Sequence, residues 1–155
     1  MPPAQSSNGR VLQVEINRVS ASEIYDVRHR NLRHNQPRGS EQMPGIDDAP
    51  TTIHLKLCVN DVGVGCATFM VEQNQDCRWR LRGMAIDAEY RRQGLGQKLI
   101  QFFLDMQPEA GGIWCNARVS AMDFYSSCGF IAEGDEFDIP PIGPHYVMRL
   151  ITDPR

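Results

Sequence analysis

Apolar and polar positions alternate over much of the chain, and the places where the period changes mark its elements. Val11 to Val19 alternates and predicts a short strand. Ser20-Ala-Ser-Glu23 fits a capping box, so a helix should follow to about Asn35, with Ile24, Val27 and Leu32 roughly at helical spacing. Arg28, His29, Arg30, Arg33 and His34 make much of its remaining surface basic, either a solvated face or a wall facing substrate. Pro37, Gly39, Pro44, Gly45 and Pro50 then predict a long loop from Gln36 to Pro50, and long loops in small domains are often functional. Thr51 to Val59 and Val62 to Val71 read as a hairpin turning at Asn60-Asp61, and a polar turn at Asn74 to Asp76 leads to a third strand, Arg78 to Ile86.

From Gly94 the period lengthens. Leu95, Leu99, Phe102, Phe103 and Met106 form the stripe of an amphipathic helix, stopped by Pro108 and Gly111-Gly112. A strand at Ile113 to Ala117, a short helix at Ser120 to Cys128 ended by Gly129, a strand at Phe130 to Glu133 and a closing strand at Tyr146 to Ile151 complete the pattern. The expected class is α/β (α+β), with a mixed, mostly antiparallel sheet flanked by helices.

Composition narrows the function classes. A length of 155 residues suits a single domain over 1–155, with residues 1–10 as a loose polar leader. At 41% hydrophobic and 23% charged residues the chain is expected to be a soluble globular protein. It has no run of roughly 20 apolar residues and no secretory signal pattern, which predicts a cytoplasmic protein with no membrane partner. The net charge of −3 argues against general nucleic-acid binding. Five cysteines (58, 66, 77, 115, 128) and four histidines (29, 34, 54, 145) show no metal-ligand spacing, so no metal is expected.

The stretch from Leu81 to Ile100, LRGMAIDAEYRRQGLGQKLI, carries the chemistry. A predicted strand runs through Arg91-Arg92-Gln93-Gly94-Leu95-Gly96 straight into a helix. A glycine costs roughly 1 kcal/mol against alanine inside a helix, so two in the opening turn call for a tight turn or close backbone approach. Free N–H groups, the positive end of the helix and two arginines together suit a diphosphate. A dinucleotide fingerprint would want a third glycine at Leu99, and Lys98 lacks a P-loop setting.

Strand, R-x-x-G-x-G, helix, strand and then Ala121-Met-Asp-Phe-Tyr125-Ser-Ser-Cys-Gly129-Phe130 resembles the GNAT superfamily of acyl-CoA-dependent N-acyltransferases, and the resemblance covers Leu81 to Phe130. The ending, with Phe137-Asp-Ile and Gly143-Pro-His-Tyr-Val-Met148, is similar to a poorly characterised bacterial branch of it. The resemblance implies a sheet splayed at an acyl-CoA site and acetyl-CoA as co-substrate, without a metal. It implies that the backbone of Met84, Ala85 and Ile86 holds the pantetheine arm and that Arg91, Arg92, Gln93, Gly94, Leu95, Gly96 and Gln97 hold the diphosphate. Gly83 is then either the bulge that opens the sheet or a packing glycine. Tyr125 matches the family's general acid. Where many relatives place a pantetheine-binding asparagine this chain has Arg118, with Asn116 two residues earlier, so either residue contacts the cofactor.

Positions where some members carry a general base are Arg80 and Arg82, and arginine cannot accept a proton at neutral pH. His145 is the candidate base, with Glu72 and Glu133 behind it and a water chain as the other route. Arg28, Arg80 and Arg82 suit an anionic group on the acceptor, whereas the acidic tract Glu133, Asp135, Glu136 and Asp138 suits a cationic one. The expected function is transfer of an acetyl group to a primary amine of a small molecule or peptide. The alternative is a non-catalytic CoA or acyl-CoA sensor of the same fold. Family analogy is compatible with a homodimer.

Overall fold

A computed structural model describes residues 13–152; the leader and the first two positions of the predicted first strand, Val11 and Leu12, lie outside the described residues. The chain runs β1 (Val14–Val19), a 3-10 turn (Ala21–Ile24), α1 (Tyr25–Leu32), β2 (Ile53–Val59), β3 (Val62–Asn74), β4 (Cys77–Ile86), α2 (Leu95–Met106), β5 (Gly112–Arg118), α3 (Met122–Ser127), β6 (Ile131–Ile139) and β7 (Gly143–Ile151). The strands form one sheet in the order β1-β2-β3-β4-β5-β7-β6. β1–β2, β2–β3, β5–β7 and β6–β7 pair antiparallel, whereas β4–β5 pairs parallel. This is the mixed, mostly antiparallel sheet expected from the sequence. Two compact units share it: one takes in the chain up to Met70 together with Arg82–Met106, the other Val71–Leu81 with the chain from Gln107 on.

In the first unit the β2–β3 turn is made by Asn60 (φ 49°) and Asp61 (φ 70°), the left-handed pair that matches strand twist in a two-residue hairpin. The stripe of α2 buries Leu95, Leu99, Ile100 and Phe103, and the Phe103 ring stacks on Phe69 of β3 with centroids 4.0 Å apart. Ile24 and Val27 pack with Cys66 and Ala85. The predicted first helix is shorter than expected. The Ser20 N–H donates to the Glu23 carboxylate at 3.1 Å, as a capping box requires, but a 3-10 turn comes first and α1 ends at Leu32. No apolar residue follows Leu32 to carry another turn onto the core before Pro37.

In the second unit β5 lies between β4 and β7. Trp114 Nε1–H donates to the Glu72 carbonyl at 2.7 Å. A side chain at Gly112 would place its Cβ 2.8 Å from Cys77 Sγ and 3.2 Å from the Leu150 carbonyl, so this position admits only glycine. β6 and β7 are longer than predicted, reaching Ile139 and starting at Gly143. Glu133 to Glu136 is exposed, and a register shift falls between Glu133 and Phe137. Pairing with β7 on either side of that shift, not burial, makes β6 a strand, so a hydrophobic pattern could not show it. All five cysteines are free, with Cys66, Cys77 and Cys115 buried.

Candidate active site

The residues predicted to hold a diphosphate lie within the first unit. Gly83 takes φ +58° in the middle of β4, a conformation that side chains disfavour, and its carbonyl accepts the Cys66 thiol hydrogen at 3.3 Å. After the strand, the Asp87 N–H donates to the Val64 carbonyl at 2.8 Å, and a 3-10 turn over Ala88–Tyr90 leads to Arg92 (φ 62°) and Gly94 (φ 77°). Space is open where a side chain at Gly94 would begin, with nothing within 4 Å. The opening helical bond runs from Lys98 N–H to the Gly94 carbonyl at 3.1 Å, so Leu95, Gly96 and Gln97 enter α2 with amides that have no carbonyl one turn back. The unpartnered donors, the helix dipole and the room at Gly94 fit a diphosphate.

Arg91 and Arg92 differ. Arg91 turns back, its Nε donating to the Ile86 carbonyl at 2.8 Å and its guanidinium reaching Asn31 Oδ1 at 3.3 Å. Arg92 is exposed in its left-handed conformation. Gln93 donates to the Glu89 carbonyl at 3.4 Å. Met84 and Ile86 are half-buried, while Ala85 points into the core. Asp87, which the sequence reading does not single out, anchors the start of this turn.

Arg28 is not an acceptor contact. Only 2% exposed, it gives Asp47 two bonds (2.8 and 2.9 Å), the Glu41 carbonyl one (3.2 Å) and Thr68 one (2.6 Å). The expectation that it reads an anion on the substrate is corrected: Asp47, inside the protein, already occupies its fork. Burial alone would raise the Asp47 pKa, but the bonds from Arg28 and the Met43 N–H outweigh it and hold the carboxyl below its usual range. His54 completes the cluster. Its Nε2–H donates to the Asp47 carbonyl (3.1 Å) and Nδ1 accepts from Thr68 (2.8 Å), which fixes a neutral tautomer. Burial pushes its pKa down, in agreement.

The second unit holds the other predicted residues. Tyr125 on α3 stands edge-on to Phe124 and Phe130, at 5.1 and 5.3 Å between centroids. Loss of solvation pushes its phenol pKa up, Cys115 and Cys128 add to this and Arg118 opposes it, so the hydroxyl keeps its proton through the neutral range. Arg118 on β5 is paired with His145 on β7, and Asn116 with Val147. Strand alternation therefore puts Asn116, Arg118 and His145 on one face. His145 is buried and stacks on Phe137 at 5.9 Å. Its Nδ1–H donates to the Gly143 carbonyl at 2.7 Å, so the neutral ring keeps its lone pair on Nε2.

Arg80 lies over the Trp114 ring at 4.8 Å and pairs with Glu72 at 3.3 Å, while its Nε is buried without a partner. Glu133 is paired with Arg149 and accepts from Gln75. Both carboxylates named behind His145 as bases are thus engaged by arginine. Arg82 is half-buried on the first unit's part of β4. Among the described residues no group of three or more His, Cys, Asp or Glu side chains is placed to hold a metal ion, and no helix is long and apolar enough to cross a membrane.

Residues 52–132 match the family model of the acetyltransferase (GNAT) domain. The uncharacterized N-acetyltransferase YitI of Bacillus subtilis (strain 168) is 34% identical over 142 residues, which cover 87% of this chain and 94% of that protein. Among solved structures, the ribosomal-protein-S18-alanine N-acetyltransferase from Escherichia coli matches with a TM-score of 0.67 at 20% identity, over 90% of this chain and 94% of that one. An aminoglycoside 6'-N-acetyltransferase complexed with coenzyme A matches with a TM-score of 0.72 at 14% identity, over 91% and 98%. At these identities the two structures speak for the fold. The family model over more than half of the chain, with a relative of that similarity along most of it, makes this protein a member of the GNAT acetyltransferase family and an N-acetyltransferase.

Proposed function

We propose that the chain moves an acetyl group from acetyl-CoA to a primary amine of a small molecule or peptide by direct attack on the thioester. The observation that carries this reading is the turn into α2. Arg92 and Gly94 are left-handed, the space beside Gly94 is empty, and the leading amides of the helix have no partner. Those amides and Arg92 bind the diphosphate, and the backbone of Met84 to Ile86 lies along the pantetheine arm, one N–H serving the developing oxyanion. Asn116 or Arg118 adds a contact to the arm.

The amine must lose a proton and the departing thiolate must gain one. In this reading His145 takes the first through Nε2, and Tyr125 supplies the second from a phenol that burial keeps protonated. Arg80 and Arg82 remain the residues for an anionic group on the acceptor. Five free cysteines suit a reducing, cytoplasmic setting. The described units, each built from two separated stretches of chain, work as one acetyltransferase domain.

Titration of coenzyme A by calorimetry tests the cradle, and release of free thiol from acetyl-CoA with an amine library tests transfer. Binding without thiol release across the library would leave a sensor instead. Tyr125→Phe is expected to lower kcat by roughly a hundredfold, as loss of a general acid does, and to leave CoA affinity unchanged. Undiminished turnover would remove Tyr125 from the mechanism.

A further inference from the structure

We propose that Arg30 and Asn31 of α1 are positioning residues for the donor: through Asp87 and Arg91 they hold the turn that meets the diphosphate, so a helix that touches no part of the donor sets its affinity. The proposal rests on the acetyl-CoA reading above. Arg30 grips Asp87 with both arms of its fork, Nε to Oδ1 at 2.9 Å and the terminal nitrogen to Oδ2 at 2.7 Å, and the same nitrogen donates to the Gly63 carbonyl at 2.7 Å. Asn31 uses both ends of its amide. Its nitrogen donates to Asp87 Oδ1 (2.7 Å) and the Val27 carbonyl (2.9 Å), and its oxygen accepts from Arg91 at 3.3 Å. Arg91 in turn donates to the Ile86 carbonyl, and the Asp87 N–H to the Val64 carbonyl. The residues on both sides of the 3-10 turn are therefore tied to α1 and β3.

Two physical reasons make this more than a surface ion pair. The turn goes on to Arg92 at φ 62°, a left-handed conformation that a residue other than glycine keeps only where surrounding bonds hold it. A bare carboxylate at its start would also repel a diphosphate, and Arg30 cancels that charge while keeping the carboxylate's bonds. Burial alone would raise the Asp87 pKa, yet the donors from Arg30 and Asn31 outweigh it and keep the group ionised below its usual range. Arg91 is spent on this scaffold, whereas Arg92, also exposed, takes no part in it.

Arg30→Lys keeps the charge and loses the fork; Asp87→Asn removes a negative charge from the cradle and breaks the grip. Both are expected to weaken CoA binding, measured by calorimetry, by roughly three- to tenfold. The KM for acetyl-CoA should rise in step with kcat within about twofold of the unaltered protein. Acetyl-pantetheine, a donor without the diphosphate, should be used by both variants as well as by the unaltered protein. Unchanged CoA affinity in both variants overturns the proposal. So does tighter binding by Asp87→Asn, the result expected if the carboxylate acts only through its charge, and so does an equal loss with acetyl-pantetheine. If the unaltered protein itself fails to bind CoA, the donor reading falls first and this one with it.

Discussion

A guanidinium with 2% of its surface in solvent must find its partners inside the protein, and Arg28 finds them in Asp47, Thr68 and the Glu41 carbonyl. Removing one member of such a buried pair strands the other's charge, at about 3–5 kcal/mol. Arg28→Ala should therefore unfold at much lower denaturant than the unaltered protein, and a midpoint within error would show that Asp47 does not depend on it. The neighbouring His54 gives the cluster a pH dependence. Its folded pKa lies below the ordinary 6.5, so its neutral form is favoured by folding. That contribution is whole above about pH 6.5 and is lost as pH falls through that value toward the folded pKa. Asp47, held below its ordinary 3.8, adds a second loss at lower pH still. Urea melts from pH 7.5 down to 5.5 should show falling stability, and His54→Asn should flatten the slope; an equally steep slope in the variant would place its origin elsewhere. Nothing in residue type told Arg28 from the other arginines of the basic helix, because only the fold says which one faces inward.

At the scale of elements, Gly83 turns β4 left-handed just before Met84–Ile86, and a Cβ there would come to 3.0 Å from Arg28 Nε. Gly83→Ala should cost about 1–2 kcal/mol from backbone handedness, read as a lower Tm. An unchanged Tm would mean that the strand relaxes to an ordinary φ without loss. The sequence allowed a bulge or a packing role for this glycine, and the structure gives it both a left-handed backbone and a close neighbour. α2 and the β2–β3 hairpin were legible because apolar period and turn chemistry agree there. The outer reach of β6 and β7 was not, since its exposed acidic residues carry no burial signal and the register shift between Glu133 and Phe137 breaks any alternation.

For the molecule as a whole, the motif-bearing stretch from Leu81 to Phe130 carried the family. What escaped was the support around the cradle. Arg30 and Asn31 lie far from Asp87 in sequence and share no motif spacing with it, so only tertiary contact joins them. β3 and β4 each give one end to one compact unit and the other end to the second, with Val71–Leu81 interrupting the first. A cut after Met106 would release the cradle in one piece, but with Val71–Leu81, a stretch of the second unit, still attached. A fragment confined to the first unit would have to excise that stretch and rejoin Met70 to Arg82, and Trp79 and Arg80, the partners of Ile113 and Trp114 on β5, would go with it.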